Sequence, residues 1–454
     1  MDNNNIVELE IIDNGMNFEG IARLNDKVVF VPYGIKGEKV KARIIKDTKN
    51  YSLANIEEII TRSKYRVKEN SCISYDKCGG CIGRHMTYEK TLDIKKEMVK
   101  NVLRKQGLDD NLVENIYGMD EPYHYRNKVQ YPARNINGKN VMGMFSEKSH
   151  DLIEVKNCDI QDQVINQVAE DMFKFMCEEK ITAYNEKTHQ GNVRNIMVRR
   201  GIRTCEILCI YVVTNEKLEK DIGMVNCINK LKEKYKDIKG IILNVNNTKG
   251  NVILGSKNIV MYGQDRITDK IGNYTYYIST NSFFQVNTIM AEKLFTVLKD
   301  KLELNKEETL LELYSGVGTI GIFLSNEVKE VYGAEIVQDA VDMAKENLKL
   351  NNITNTSYVV GDASVELEKM QYKNIYFDTI VVDPPRKGLD EKGIETILKL
   401  RPNKIGYVSC NPATLARDLE KLSKEYEIQS INLCDLFPWT KHIESICILK
   451  VKQK

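Results

Sequence analysis

The chain has 454 residues, 42% of them hydrophobic and 29% charged, which is an ordinary globular composition sized for roughly three domains. No run of about 18 apolar residues occurs, so no membrane span is expected, and the opening Met1-Asp2-Asn3-Asn4-Asn5 lacks the apolar stretch of a secretory signal, as expected of a cytoplasmic protein. Lys and Arg number 66 against 64 Asp and Glu, a net charge of +2; this excludes a uniformly basic nucleic-acid coat but not a local basic face.

Residues 1–60 read as a small all-β module. Short apolar runs at 6–12, 28–31 and 39–45 are separated by Gly15, Gly20, Gly34 and Gly37, and Val28-Val29-Phe30-Val31 stops at Pro32. Lys39-Val40-Lys41-Ala42-Arg43-Ile44 alternates charge and apolarity, as a half-buried strand does. Residues 34–68 hold 10 Lys or Arg and 4 Asp or Glu, a local charge of +6. This suits either a solvated sheet face or a surface that tracks phosphates.

A middle region, 61–280, opens with Cys72-x5-Cys78-Gly79-Gly80-Cys81, three thiols within ten residues. A Lys- and Glu-rich helical stretch follows at 87–106, then β-like runs at 127–132, 192–199, 206–213 and 240–245. The chain has 11 cysteines, an odd number in a chain with no export signal, so a disulfide framework is a poor reading. Soft thiolates close together suit zinc or an iron–sulfur cluster equally, although zinc sites more often use two Cys-x-x-Cys hooks and only one is present. The cysteines outside this group, apart from Cys158 and Cys410 treated below, show no metal spacing and read as core or incidental.

Residues 281–454 alternate strand and helix, with apolar runs at 309–314, 330–336, 357–361, 377–382 and 405–409, the pattern of a parallel, doubly wound α/β sheet. Two last strands, near 428–433 and 443–451, follow without a helix between them, an arrangement expected of an S-adenosylmethionine methyltransferase. Glu312-Leu313-Tyr314-Ser315-Gly316-Val317-Gly318 lies at the first strand-to-helix turn, and Glu335 ends the next strand, placed to bind ribose hydroxyls. NAD binding would use the same geometry; Glu312 before the loop and Asp383-Pro384-Pro385-Arg386 at the end of the fourth strand tilt against it. Ser409-Cys410-Asn411-Pro412 ends the fifth strand, with Asn411 and Pro412 opening a helix as cap and first residue. Cys410 is therefore expected at a helix N-terminus, where the dipole favours thiolate. Glu444, among apolar neighbours in His442-Ile443-Glu444, reads either as a base of raised pKa or as an exposed strand-edge acid.

These residues together resemble the RNA uracil-5-methyltransferase family over nearly the whole chain. The matching runs are Tyr125-Arg126-Asn127-Lys128, Ser282-Phe283-Phe284-Gln285-Val286-Asn287, Leu313-Tyr314-Ser315-Gly316-Val317-Gly318, Asp383-Pro384-Pro385-Arg386-Lys387-Gly388 and Ser409-Cys410-Asn411-Pro412-Ala413-Thr414. The likeness is greatest to the branch acting on 23S ribosomal RNA, because the transfer-RNA branch usually lacks an N-terminal barrel and a cysteine cluster. The resemblance implies a TRAM-like RNA-binding barrel at 1–60, a central α+β domain at 61–280 carrying the cluster, and a Rossmann-like methyltransferase domain at 281–454.

It implies that Cys410 adds to uracil C6 and that Glu444 removes the C5 proton. It also implies that Gln285, Tyr314, Glu335 and Asp383 contact S-adenosylmethionine, with Asp362 a further candidate near the adenine. Cys72, Cys78, Cys81 and, far along the chain, Cys158 would hold a [4Fe-4S] cluster, structural rather than redox-active. The expected partner is a 23S rRNA uridine in a loop or extruded from its stack, with the protein a monomer. Cytosine-5 enzymes carry a cysteine in the Asp383 motif, absent here, and amino-methyltransferases usually follow Asp-Pro-Pro with an aromatic where Arg386 stands. Arg84 before His85 departs from the Gln often found in relatives. A non-catalytic RNA-binding or ribosome-assembly protein is the reading from a different class.

Overall fold

A computed structural model describes residues 5–453 apart from 147, 148, 150, 373 and 374. The first sixty residues form a six-stranded sheet whose spatial order is Ile6–Glu10, Lys39–Asp47, Tyr51–Thr61, Lys27–Val31, Gly20–Leu24, Asp13–Asn14. The alternation along Lys39–Asp47 is realised: Val40 and Ala42 are fully buried with Leu9, Val29 and Val31, while Lys41 and Arg43 face out. Those two cations pair with Glu58 and Glu57 on the neighbouring strand at 2.8 Å each. Part of the local positive charge is thus answered within the sheet, where exposed pairs contribute little to stability.

The central sheet has seven strands, ordered Leu152–Glu154, Lys139–Phe145, Lys128–Ile136, Val193–Arg200, Ile207–Val213, Ile238–Val245, Lys257–Gly263. Ile207–Val213 is apolar at every position and buried at every position. Side chains alternate across a strand, and both faces here meet protein. Ile207, Cys209, Tyr211 and Val213 pack with Val168, Met172 and Ile228 of the helices Gln163–Glu178 and Ile222–Lys234. Leu208, Ile210 and Val212 pack with Ile278, Leu294 and Leu298 of the C-terminal half.

The C-terminal half is built on an eight-stranded sheet: Thr356–Val360, Glu330–Glu335, Thr309–Leu313, Thr379–Val382, Lys404–Ser409, Glu444–Val451, Tyr426–Cys434, Val113–Tyr117. The first five strands are parallel, as the alternation of strand and helix requires; in the terminal hairpin Tyr426–Cys434 runs with them and Glu444–Val451 runs antiparallel between. The edge strand Val113–Tyr117 comes from far upstream and pairs in parallel with Tyr426–Cys434. It brings the helix Tyr88–Lys105 with it, whose Met98, Val99 and Leu103 enter the same core as Leu311, Tyr407 and Leu419. Among the described residues no helix is long and apolar enough to cross a membrane.

The helix Tyr88–Lys105 buries Thr91, Ile94, Lys95, Met98, Val99 and Leu103, a 3.6-residue stripe in which Lys95 occupies an apolar position. Lys95 is 1% exposed and Asp435 0%. The ammonium donates to Asp435 Oδ1 at 2.7 Å and to the Phe437 carbonyl at 3.1 Å, and the Tyr88 hydroxyl donates to Asp435 Oδ2 at 2.9 Å. Burial pulls the lysine below its ordinary range, opposed by Asp435. Lys95→Ala or Asp435→Ala leaves one charge buried alone and is expected to cost about 3–5 kcal/mol. A joint replacement by apolar residues of similar size is expected to restore most of that. Denaturant midpoints of the three variants check both statements.

Candidate active site

The strand Thr309–Leu313 ends in Tyr314, a non-glycine residue at φ +62°, and the chain turns through Gly316 and Gly318 into the helix Thr319–Leu324. Gly318 sits at φ +81°, and a Cβ there would lie 2.8 Å from the Tyr358 ring; at Gly333 on the next strand it would lie 2.1 Å away. Tyr358 fills the space these glycines leave and donates to Glu312 Oε2 at 3.1 Å. Glu312 is pushed up to about 8 by burial, against the Gly321 N–H and the Tyr358 hydroxyl that favour its charged form. Glu335 closes the loop from the neighbouring strand, its carboxylate accepting from Gly316 N–H at 2.9 Å and Val337 N–H at 3.0 Å. The Tyr314 hydroxyl is driven up to about 12, mainly by burial, then by Asp390 and Asp362.

Asp383 follows the strand Thr379–Val382, and the loop after it is clamped to the helix Pro412–Leu422. Asn411 Nδ2 and the Thr414 hydroxyl donate to the Arg386 carbonyl at 2.9 and 3.3 Å, Arg417 to the Lys387 and Leu389 carbonyls, and Leu389 N–H to buried Asp418 at 2.8 Å. Asn411 is the N-cap, accepting from Ala413 N–H at 3.1 Å, with Pro412 in the first turn.

Cys410 lies just before that cap. The ladder pairs Ser409 with Ser445, so one step further sets Cys410 opposite Glu444 at the ligand end of the sheet. Cys410, Glu444 and Asp383 are near enough to disfavour one another's charge. Burial first, then Glu444, then Asp383, pushes the Cys410 thiol up to about 11, with Arg386 opposing. Burial and Asp383 hold Glu444 well above the carboxylate range, again against Arg386. Glu444 is 5% exposed, so it is not an exposed strand-edge acid. Burial alone raises Asp383 to about 7. The expected dipole-stabilised thiolate is therefore corrected: removal from water and two carboxylates outweigh a cap whose amide already serves Asn411.

Gln285 lies in the loop before the helix Thr288–Leu302, where its carbonyl accepts from Asn127 Nδ2 at 2.9 Å. Asn127 also donates to Thr288 Oγ1 at 3.0 Å and, through its backbone N–H, to the Val286 carbonyl at 2.8 Å. Asn287 Nδ2 donates to the Leu436 carbonyl at 3.1 Å, next to the strand that carries Cys434 opposite Glu444. Two distant sequence runs, 125–128 and 282–287, thus meet beside the sheet end.

Two participants escaped the sequence reading as site residues. Arg386 was visible only as a feature of its motif, yet it is the cation that opposes the acids at both Cys410 and Glu444. His442, two residues before Glu444, stacks edge-on against Phe437 at 5.9 Å between centroids. It is pulled down to about 4 by burial and by Arg386, Lys441, Lys95 and Arg126.

The four cysteines Cys72, Cys78, Cys81 and Cys158 come together from two loops. Burial, then Cys158, pushes Cys81 up to about 12, and Cys78 and Cys72 add to it. Cys81 and Cys158 pack against Tyr125, Ile160 and Trp439. Arg84 joins the two loops, donating to Ser71 Oγ at 2.7 Å and pairing with Asp159 at 2.7 Å. The donor type fits an iron–sulfur cluster. Among the described residues, however, no group of three or more His, Cys, Asp or Glu side chains is arranged to hold a metal ion, so the thiols are neighbours and not a preformed coordination sphere.

Residues 87–452 match the family described as tRNA (Uracil-5-)-methyltransferase, and residues 3–56 match the TRAM domain. The chain is 40% identical over 447 residues to an uncharacterized RNA methyltransferase of Clostridium tetani, covering 98% of this chain and 96% of that one. It is 40% identical over 451 residues to another from Clostridium acetobutylicum, covering 98% and 97%. Among solved structures it resembles the Pyrococcus abyssi tRNA (uracil-54, C5)-methyltransferase in complex with S-adenosyl-L-homocysteine, with TM-score 0.77 and 27% identity, covering 97% of this chain and 99% of that one.

Alkylation of the Cys410 thiol in the free protein is expected to be slow at neutral pH and to rise about tenfold per pH unit until the thiol titrates near 11. Glu444→Gln removes a negative neighbour and shifts that titration downward. Mass-spectrometric quantification of the iodoacetamide-labelled Cys410 peptide against pH measures both.

Proposed function

The chain belongs to the tRNA (uracil-5-)-methyltransferase family, and on that premise we propose that it transfers a methyl group from S-adenosylmethionine to C5 of a uridine in RNA. The observation that carries the reading is the meeting of a thiol, Cys410, and a buried carboxylate, Glu444, on adjacent antiparallel strand ends beside the Asp383 loop.

The residues present fit S-adenosylmethionine. The glycine turn gives close backbone approach, Glu335 closes that turn, and Asp383 stands near Cys410 and Glu444. Gln285, Tyr314, Glu335 and Asp383 would hold the group, which when bound supplies an electrophilic methyl on a sulfonium. A positive charge held beside Asp383 would offset the repulsion that disfavours the Cys410 thiolate.

Uracil C5 is a poor nucleophile. Cys410 loses its proton to solvent and its sulfur adds to C6; the C5–C6 π electrons shift to make an enolate, and C5 takes the methyl group as the donor's methyl–sulfur bond breaks. Glu444 then accepts the C5 proton, the C5–C6 double bond re-forms, and the C6–S bond breaks to release Cys410. A carboxylate held above its ordinary range is a stronger base near neutrality. Burial, Glu444 and Asp383 keep the Cys410 thiol protonated at neutral pH in the free protein.

For the substrate we propose a uridine of 23S ribosomal RNA in a loop or extruded conformation. The support is the N-terminal TRAM domain together with the gathered cysteines. A transfer-RNA target is the second reading, favoured by one finding: the Pyrococcus abyssi tRNA enzyme aligns along 97% of this chain, barrel included, so a barrel does not exclude tRNA. For Cys72, Cys78, Cys81 and Cys158 we propose a [4Fe-4S] cluster with a structural role, because methyl transfer to an enolate needs no electron.

Cys410→Ala is expected to abolish transfer from labelled S-adenosylmethionine to undermethylated RNA. Glu444→Gln is expected to trap a covalent protein–RNA adduct, because release of the thiol waits on the C5 proton. Transfer that persists in Cys410→Ala refutes the mechanism. Mapping 5-methyluridine by mass spectrometry in rRNA and tRNA from cells lacking the protein assigns the substrate, with loss from 23S rRNA expected. Anaerobically purified protein is expected to be brown, absorbing near about 400 nm, whereas a colourless preparation with stoichiometric zinc overturns the cluster.

A further inference from the structure

A cleft of about 640 Å³ runs between the N-terminal sheet, the Gly79–Gly80 turn and the segment Thr440–His442. Its walls are aromatic from three separate parts of the chain. Phe30 and Tyr51 stand edge to face on adjacent strands, 5.7 Å between centroids. Tyr33 packs against His85 at 5.6 Å, and His442 closes the far end. His85 is 7% exposed, and the Tyr75 hydroxyl engages its Nδ1 at 2.8 Å. Its Nε2 is buried with no hydrogen-bond partner among the described residues.

We propose that this cleft is a subsite for an unpaired nucleotide flanking the target uridine, held by stacking on Phe30, Tyr33 and Tyr51. The proposal rests on the RNA-methylating reading and extends it to a second base. Every base has a π-face, so an aromatic slot accepts single-stranded RNA without demanding a sequence. Lys441, whose ammonium donates to Asn17 Oδ1 at 2.9 Å, bridges the two walls and sets a positive charge where a phosphate would pass. His442 lies two residues from Glu444, so a strand with one base at Glu444 has its neighbour within reach of the cleft. Stacking on these rings requires an exposed base face, which an extruded or looped target offers and a duplex does not.

The test uses the full chain and a short single-stranded oligoribonucleotide carrying 2-aminopurine, whose fluorescence falls on stacking. Wild-type protein is expected to quench it. Phe30→Leu, a change a strand tolerates, and Tyr33→Asn, which suits the backbone there at φ +63°, are each expected to weaken binding about tenfold. Binding of S-adenosylmethionine and resistance of the N-terminal sheet to limited proteolysis are expected to be unchanged in both variants, which shows that both parts are folded. Oligonucleotide affinity unmoved by either substitution overturns the subsite, even where wild-type methyl transfer to RNA proceeds. Quenching that depends on both rings supports it, even where no methyl transfer is found.

Discussion

Six residue pairs between the antiparallel strands Lys404–Ser409 and Glu444–Val451 decide where the chemistry sits. They fix Ser409 against Ser445 and so bring the thiol and the carboxylate face to face from positions 34 residues apart in sequence. A slip of one residue would turn every side chain of that strand to the opposite face. The register is held because both faces of the last strand are buried, with Ile446 and Ile448 in one core and Cys447 and Leu449 in the other. Apolar burial far from the site thus sets the geometry of two polar atoms.

That geometry has an electrostatic cost, and the chain organises its surroundings around it. Three acidic groups share one partly dry space, where each disfavours the others' charge. Arg386 opposes the accumulation, and its loop is pinned by hydrogen bonds from Asn411, Thr414 and Arg417 and by one that Leu389 N–H donates to Asp418. The approach to Glu444 is fixed by the Lys95–Asp435 pair and by Trp439, whose Nε1 donates to the Pro122 carbonyl at 2.8 Å. The loop that carries the cysteines touches the same tryptophan, with Gly83 N–H donating to its carbonyl at 2.9 Å. Any group that organised those cysteines would therefore also stiffen the path to the carboxylate.

Much of this could be read from residues alone because the local signals agree with the global fold. The alternation around Val40, the cap and proline at Asn411 and Pro412, and the parallel sheet with a terminal hairpin each follow from short-range pattern. What escaped were long-range choices. Nothing local to 113–117 marks it as the edge of a sheet whose other strands begin at Thr309, since edge pairing depends on where the chain returns. Lys95 looks like any helical lysine until Asp435 arrives from the far end. The ionisation of Cys410 was misjudged for the same reason: the helix terminus is a neighbour in sequence, whereas Glu444 and Asp383 are neighbours only in space. Cys209, Cys227, Cys434 and Cys447, read as core or incidental, are buried.

The strand Ile207–Val213, apolar on both faces, belongs at once to the core beneath the central helices and to the core beneath the C-terminal sheet. Two layers that share a strand in this way cannot part without exposing it, so the seam between them acts as a weld and not as a hinge. The N-terminal sheet is joined far more lightly, through the small apolar group of Phe18, Ile35, Met86 and Ile94 and a few polar ties such as Lys441 to Asn17. The aromatic cleft opens at that joint, so the spacing between the small sheet and the welded body sets how wide the cleft stands.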